Sequence, residues 1–323
     1  MRPENLESSK TSTRVSNATM GCLLCVALAL ALHIAAPLGR GQELEPRSLT
    51  NVPVGMNFIL VGYGYARGNI LLDPSVPIED LDAKLHTLVG AYVRSINLFG
   101  LASKFDVIVP FAAGDWKGLL EGQDTARSAT GFGDPRVRLS MNFVGAPALK
   151  GAEFGGYRQK TIVGASLQVV VPVGQYDPTK LLNLGSNRWI FRPQIGVSRV
   201  AGPWILEAYA AGWFFTKNTD FFGGSTLGQR PLLAAKLHFI RSFPKGRWIA
   251  LDGGYGIGGR TILDGEAKET HISTFRFGLT LAAPIATRHT ARLVLTAAVR
   301  GERGPDYNGI SIFYQYRWGG MPK

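Results

Sequence analysis

The chain has almost no cysteine: of 323 residues only Cys22 and Cys25 carry a thiol, and both lie in the apolar run from Cys22 to Ala36. Their C-x-x-C spacing therefore falls inside a hydrophobic segment, with no further cysteine to complete a zinc site and no disulfide for the rest of the chain. After Ala36 no apolar run is long enough for a membrane helix. There is also no block of lysines and arginines and no nucleic-acid recognition motif, so the formal charge of +12 is not the footprint of a nucleic-acid binder. Histidine is scarce, and beyond the N-terminal segment only His86, His238, His271 and His289 remain. Neither a G-x-S-x-G motif nor a His/Glu metal motif occurs, and no cofactor or metal is expected.

Glycine, by contrast, is plentiful, with 40 residues that break the chain into short runs bounded by Gly and Pro, disfavouring long helices. With 46% hydrophobic residues the chain is not disordered, so the composition points to an all-β protein.

The N-terminus has Arg2, Lys10 and Arg14 before the apolar run and the small residues of Gly39-Arg40-Gly41 after it. This is the layout of a secretory signal peptide over residues 1–41, with cleavage near Gly41. Its removal takes away four basic and two acidic residues, leaving a formal charge of +10. Residues 42–54 are expected to form a short periplasmic segment, 55–318 a β-barrel and 319–323 a tail.

Twelve runs read as strands, roughly 55–66, 83–98, 103–114, 134–144, 159–173, 188–200, 203–217, 230–242, 246–258, 270–283, 288–300 and 308–318. Each approaches the ~10 residues of a tilted membrane strand, against the 5 to 6 usual in soluble sheets. Several alternate: Phe105, Val107, Val109 and Phe111 oppose Lys104, Asp106 and Ile108, and Val137, Leu139, Met141 and Phe143 oppose Arg136, Arg138, Ser140 and Asn142. In the last strand Ile310, Ile312, Tyr314, Tyr316 and Trp318 share one face. Counted from a periplasmic N-terminus the odd-numbered links are long and the even-numbered ones short, the asymmetry of an outer-membrane barrel. The exception, 145–158, is expected to form a short helix or plug-like excursion. The expected fold is a transmembrane antiparallel up-and-down barrel of about twelve strands in a Gram-negative outer membrane. A soluble barrel or sandwich is the alternative, since alternation also describes a strand between core and water.

Charges are costly toward lipid and cheap toward a wet lumen. The candidate lumen path is therefore Arg94, Lys104, Asp106, Arg136, Arg138, Arg192, Glu207, Lys236, Asp252, Arg276, Arg292 and Arg317, with Tyr209 and Trp213 as flat surfaces for a ligand and Tyr92 a further aromatic that could fall inside. A basic lining favours anions; a lattice of ion pairs that stiffens the wall is the alternative. Asp73, Asp134, Asp177, Asp220, Phe221 and Phe222, in Asp-Pro or Gly-rich turns near the outer rim, are candidate entrance residues. His271 and Ser273 share a face and are the one pair that a lipid hydrolase could use.

The blocks GFGDPRVRLSMNFVGAPAL at 131–149, VGASLQVVVPVGQYDPTKLLNLGSNRWIFRPQIGVSR at 163–199 and DFFGG at 220–224 together resemble the family labelled MetA-pathway of phenol degradation. The resemblance covers most of the chain after the signal. It implies an outer-membrane barrel, not an enzyme, that carries small hydrophobic or aromatic compounds, with lipid, solute and the outer-membrane assembly machinery as partners. The chain departs from the pattern in running five residues past Trp318 instead of ending on an aromatic. An envelope structural or interaction barrel, and more remotely a lipid hydrolase, are the alternative functions.

Overall fold

The computed structural model describes residues 44–70, 78–120, 122–303 and 306–320. The expected signal peptide, Asp73 and the last three residues lie outside them. Described in chain order, the elements are β1 (Met56–Asn69), β2 (Ile78–Leu98), β3 (Leu101–Leu120), β4 (Gln123–Phe132), β5 (Arg136–Val144), the one-turn helix α1 (Gly151–Phe154), β6 (Thr161–Val170), β7 (Ile190–Ala201) and β8 (Trp204–Phe215). They continue with β9 (Asn218–Phe221), β10 (Ser225–Gln229), β11 (Leu232–Ser242), β12 (Trp248–Gly258), β13 (Thr261–Leu263), β14 (Glu266–Ala267), β15 (Ile272–Ala286), β16 (His289–Arg303) and β17 (Asp306–Gly319).

Twelve of these strands close on themselves. The order β2-β1-β17-β16-β15-β12-β11-β8-β7-β6-β5-β3 is completed by pairing of β2 with β3. The seam between the first and last strands runs antiparallel from Met56↔Gly319 to Asn69↔Asp306, so β1 and β17 pair along their whole length. A closed ladder leaves no edge, which is what a hydrocarbon environment demands of a β protein.

The alternation settles which face is which. Ile59, Leu88, Val109, Leu167, Leu237, Leu251, Phe277 and Ile312 are 39% to 65% exposed, each on the face opposite the lumen. Large apolar side chains left open on strand after strand would be an aggregation surface in water; in a bilayer they are solvated by acyl chains. Near the short turns this belt gives way to aromatics. Tyr316 and Trp318 stack at 5.6 Å, Trp204 and Phe239 at 4.6 Å, and Tyr92 lies 6.3 Å from Trp318. Amphipathic rings belong at that depth, where one end meets headgroups.

The short links are tight. At Phe99-Gly100 both residues have positive φ, 55° and 80°, the backbone of a type I′ turn whose twist matches its strands. Asn97 accepts the Gly100 N–H at 2.8 Å, which helps to hold Phe99 in a conformation that Cβ disfavours. The 145–158 link contains α1, the short helix expected there.

One long link is not a loop. Residues 115–133 were expected to be a long link between strands, yet β3 runs to Leu120 and β4 returns along it from Leu120↔Gln123 to Phe111↔Phe132. Above the membrane a strand has no lipid to face, so its residues need not alternate apolar and polar, and this hairpin carries Asp115, Lys117 and Asp124. Smaller strands β9, β10, β13 and β14 form a four-stranded sheet among the outer links.

Candidate functional site

The inner face of the barrel is polar and organised around the segment that precedes β1. That segment was expected to lie outside in the periplasm. Residues 44–51 instead bond to inward-facing side chains of the wall, which is the correction that matters most for function. Arg138 of β5 donates from Nη1 to Glu45 at 2.5 Å and from Nε to Asp106 of β3 at 2.5 Å. Lys104 donates to the carbonyl of Ser48. The Arg47 N–H donates to Glu207 of β8 at 2.7 Å, and Asn142 donates to the Leu49 carbonyl at 2.9 Å. The physical reason is charge: an acidic side chain on a tether finds its lowest energy among lumen arginines and lysines. Burial alone would raise the Glu45 carboxyl, but Arg138, Arg192 and Lys236 together hold it well below the usual carboxylate range.

Around this segment the wall pre-positions its own charges. Glu207 accepts from Ser198 at 2.9 Å and from Tyr209 at 3.0 Å. Gln194 uses one oxygen to accept from Lys236 at 2.7 Å and Arg192 at 3.2 Å, setting two cations side by side. Asp252 pairs with His238 at 2.6 Å and accepts from Thr280 at 2.8 Å. Glycine shapes this face too. A Cβ on Gly196 would sit 2.2 Å from the Tyr209 ring, so the ring lies flat against β7 only because no side chain stands there.

Aromatics accompany the arginines. Arg192 lies 4.8 Å over Trp213, Arg188 4.8 Å over Phe215, Arg276 4.5 Å over Tyr307 and Arg292 5.0 Å over Phe313. Each is a cation held against a ring face.

Most of the sequence-based lumen residues share this inner face by register: Lys104, Asp106, Arg138, Arg192, Glu207, Tyr209, Trp213, Lys236, Asp252, Arg276 and Arg292, with Arg136 two residues from Arg138 on the same side of β5. Arg94 does not. It is exposed and in register with Asn57 and Phe105, on the outward set, because the inward residues of β2 are the odd ones, such as Ala83, Leu85, Thr87 and Ser95. Its long stem near the turn end lets the charge reach the interface. Tyr92, two residues away, likewise joins the aromatic girdle and bonds to Asn57 at 2.7 Å. Arg317 lies at the rim, exposed, and donates to the Thr287 carbonyl at 3.2 Å.

At the outer mouth the link over 171–189 folds inward. Leu182 is buried with Ile70, Leu81, Leu85, Trp116 and Tyr307, and Leu181 and Leu184 pack against them. Asp134 fastens this link. Its carboxylate accepts from the Gly174 N–H at 3.0 Å, the Ser186 N–H at 2.8 Å and the Ser186 hydroxyl at 2.5 Å. Asp177 builds a local turn, accepting the Thr179 N–H at 2.9 Å and hydroxyl at 2.7 Å. The Asp220 carbonyl accepts from Tyr176 at 2.9 Å, Phe221 is buried and Phe222 is 41% exposed. Ser273 bonds to Tyr255 at 3.0 Å, and among the described residues no hydrogen bond joins it to His271.

Glu45, Gln194, His238 and Arg188 were not singled out from sequence. His238 could have been, since it shares the alternation of Lys236 two residues earlier in β11; Glu45 lies 93 residues from Arg138 and carried no such signal.

Comparison with known proteins agrees with this architecture. The family model described as "Putative MetA-pathway of phenol degradation" matches residues 72–313. Among solved structures, the COG4313 outer membrane channel from Pseudomonas putida F1 is similar at TM-score 0.70 and 20% identity, over 86% of this chain and 100% of that one. The transport unit of the autotransporter AIDA-I from Escherichia coli is similar at TM-score 0.50 and 8% identity, over 93% and 98%. At such identities the likeness is one of fold. No curated protein matches the chain.

Proposed function

The chain belongs to the MetA-pathway of phenol degradation family, and from that membership and the lumen geometry we propose that it is an outer-membrane channel for small hydrophobic or aromatic compounds, anions included. The observation that carries the reading is the series of inward arginines stacked on aromatic rings: Arg192 on Trp213, Arg276 on Tyr307 and Arg292 on Phe313. A ring face offers contact to an aromatic solute, and the guanidinium beside it offers charge to a carboxylate or phenolate. The apolar mouth under the 171–189 link would admit the solute's ring before the polar interior meets its charge. The candidate path is thus the sequence-based lumen set without Arg94 and Arg317, with Asp134 as the fastening of the entrance. Its expected surroundings are outer-membrane lipid and the machinery that inserts barrels there.

The test is flux. The mature chain refolded into liposomes should release entrapped benzoate and phenol faster than protein-free vesicles, and benzoate more slowly after Arg192→Gln. Vesicles as tight as the protein-free control to both solutes would contradict the channel reading.

A further inference from the structure

The Glu45 seat is a receptor assembled by the wall and occupied by a tether. Glu45 comes from the segment before β1, while every group it meets comes from the barrel. Asp106 orients Arg138, and the Gln194 oxygen gathers Arg192 and Lys236. These cations keep their places through wall partners, so the receptor does not depend on Glu45 for its shape. The occupant is also within reach of the lumen, since the Glu45 side chain is 31% exposed.

Two further features say what else would fit. Trp213 lies directly under the Arg192 guanidinium, at 4.8 Å, giving the seat an aromatic floor. Gln168, only 3% exposed, stands in register between Arg138 and Arg192 on the inner face, and its Oε1 has no hydrogen-bond partner among the described residues. A buried acceptor left unsatisfied has given up water without a replacement, so a donor delivered by a ligand would be favoured there.

We propose that this seat is the carboxylate-binding site of the lumen, that it takes small aromatic acids bearing a hydroxyl group, and that Glu45 is the internal carboxylate such a solute must displace. The proposal rests on the channel reading and adds the ligand class and its competitor. Arg138 would pair with the incoming carboxylate as it pairs with Glu45, the solute ring would lie near Trp213, and the hydroxyl would donate to Gln168. Because seat and tether belong to one chain, the competition is intramolecular, and solute affinity is lowered by the fraction of time that Glu45 is seated.

The experiment is calorimetric titration of the refolded full-length mature chain with 4-hydroxybenzoate and with its neutral analogue 4-hydroxybenzamide. Glu45→Gln keeps the shape of the tether and removes its charge. It should raise affinity for 4-hydroxybenzoate at least tenfold, 4-hydroxybenzamide should show no measurable binding to either chain because it brings no charge to the seat, and adding Arg138→Gln should abolish the gain. Position 45 lies outside the ladder, so the barrel should fold in the single variant, with gel mobility before and after heating as the check. If the double variant fails to fold, Gln168→Leu in the Glu45→Gln background replaces it, with weaker 4-hydroxybenzoate binding expected. Equal affinity for the acid with and without the Glu45 charge, or binding of the amide as tight as that of the acid, would overturn the site. Solute flux measured on the same preparations separates the two ideas: flux with no effect of residue 45 on binding sinks the seat and leaves the channel, whereas tight vesicles sink the channel.

Discussion

Asp134→Ala should loosen the outer mouth without unfolding the barrel. The carboxylate is 6% exposed and receives three donors, two from Ser186 and one from Gly174, across 40 to 52 residues of sequence. Hydrogen bonds to a charged group contribute about 1.5–3 kcal/mol each, but the freed donors regain water when the link lifts, so the net loss should be nearer 3 kcal/mol. Against that, burial of Leu182 and partial burial of Leu181 and Leu184 still favour the docked link by about 1.5–3 kcal/mol for each fully buried leucine. The link should therefore stay mostly docked, while its lifted state becomes on the order of 100-fold more populated. In single-channel recordings this should appear as frequent, brief openings to a higher conductance level, with an unchanged thermal midpoint for the barrel. Asp177→Ala is the control, because among the described residues its carboxylate bonds only within its own turn. The reasoning would be refuted if the two variants gated alike, or if Asp134→Ala left the opening frequency of the parent chain unchanged.

Other consequences can be checked separately. Leu237 is 65% exposed in the lipid-facing belt, so Leu237→Arg should cost about 2–4 kcal/mol in refolding titrations into bilayers, whereas a lumen exchange such as Thr280→Ser should cost far less. Gly196→Ala places a methyl 2.2 Å from the Tyr209 ring and should destabilise by about 1–3 kcal/mol, read from the denaturant midpoint. The Glu45 carboxyl is held below its ordinary value of 4.5, so its contribution to seating the N-terminal segment is complete above that pH and is lost only as pH falls through the lower, folded value. Protease protection of that segment should accordingly be flat from neutral pH down to about 4.5 and fall only in stronger acid. A loss beginning near neutral pH would contradict the Arg138 pairing.

The barrel was legible because its rule is local. A strand between lipid and water must alternate, and twelve alternating runs with long and short links give the topology before any contact is known; β17 and its pairing with β1 came out as the pattern implied. Legibility ended where alternation does. The polar hairpin of β3 and β4 above the membrane has no lipid face to announce it. Arg94 shows a second limit: the cost of charge toward lipid falls near the interface, so parity assigned from charge alone fails at strand ends. The contents of the lumen are tertiary. That Glu45 meets Arg138, or that His238 in β11 meets Asp252 in β12, depends on register and on a segment entering the barrel, neither of which periodicity encodes.

The central claim is that this lumen conducts and that its inward cations govern what passes. Reversal potential across a planar bilayer holding the refolded protein, under a salt gradient, tests it most directly. The account predicts measurable conductance with anion-over-cation selectivity that weakens when Arg136 and Arg138 are both replaced by Gln. A silent bilayer, or a reversal potential indifferent to both arginines, would contradict it.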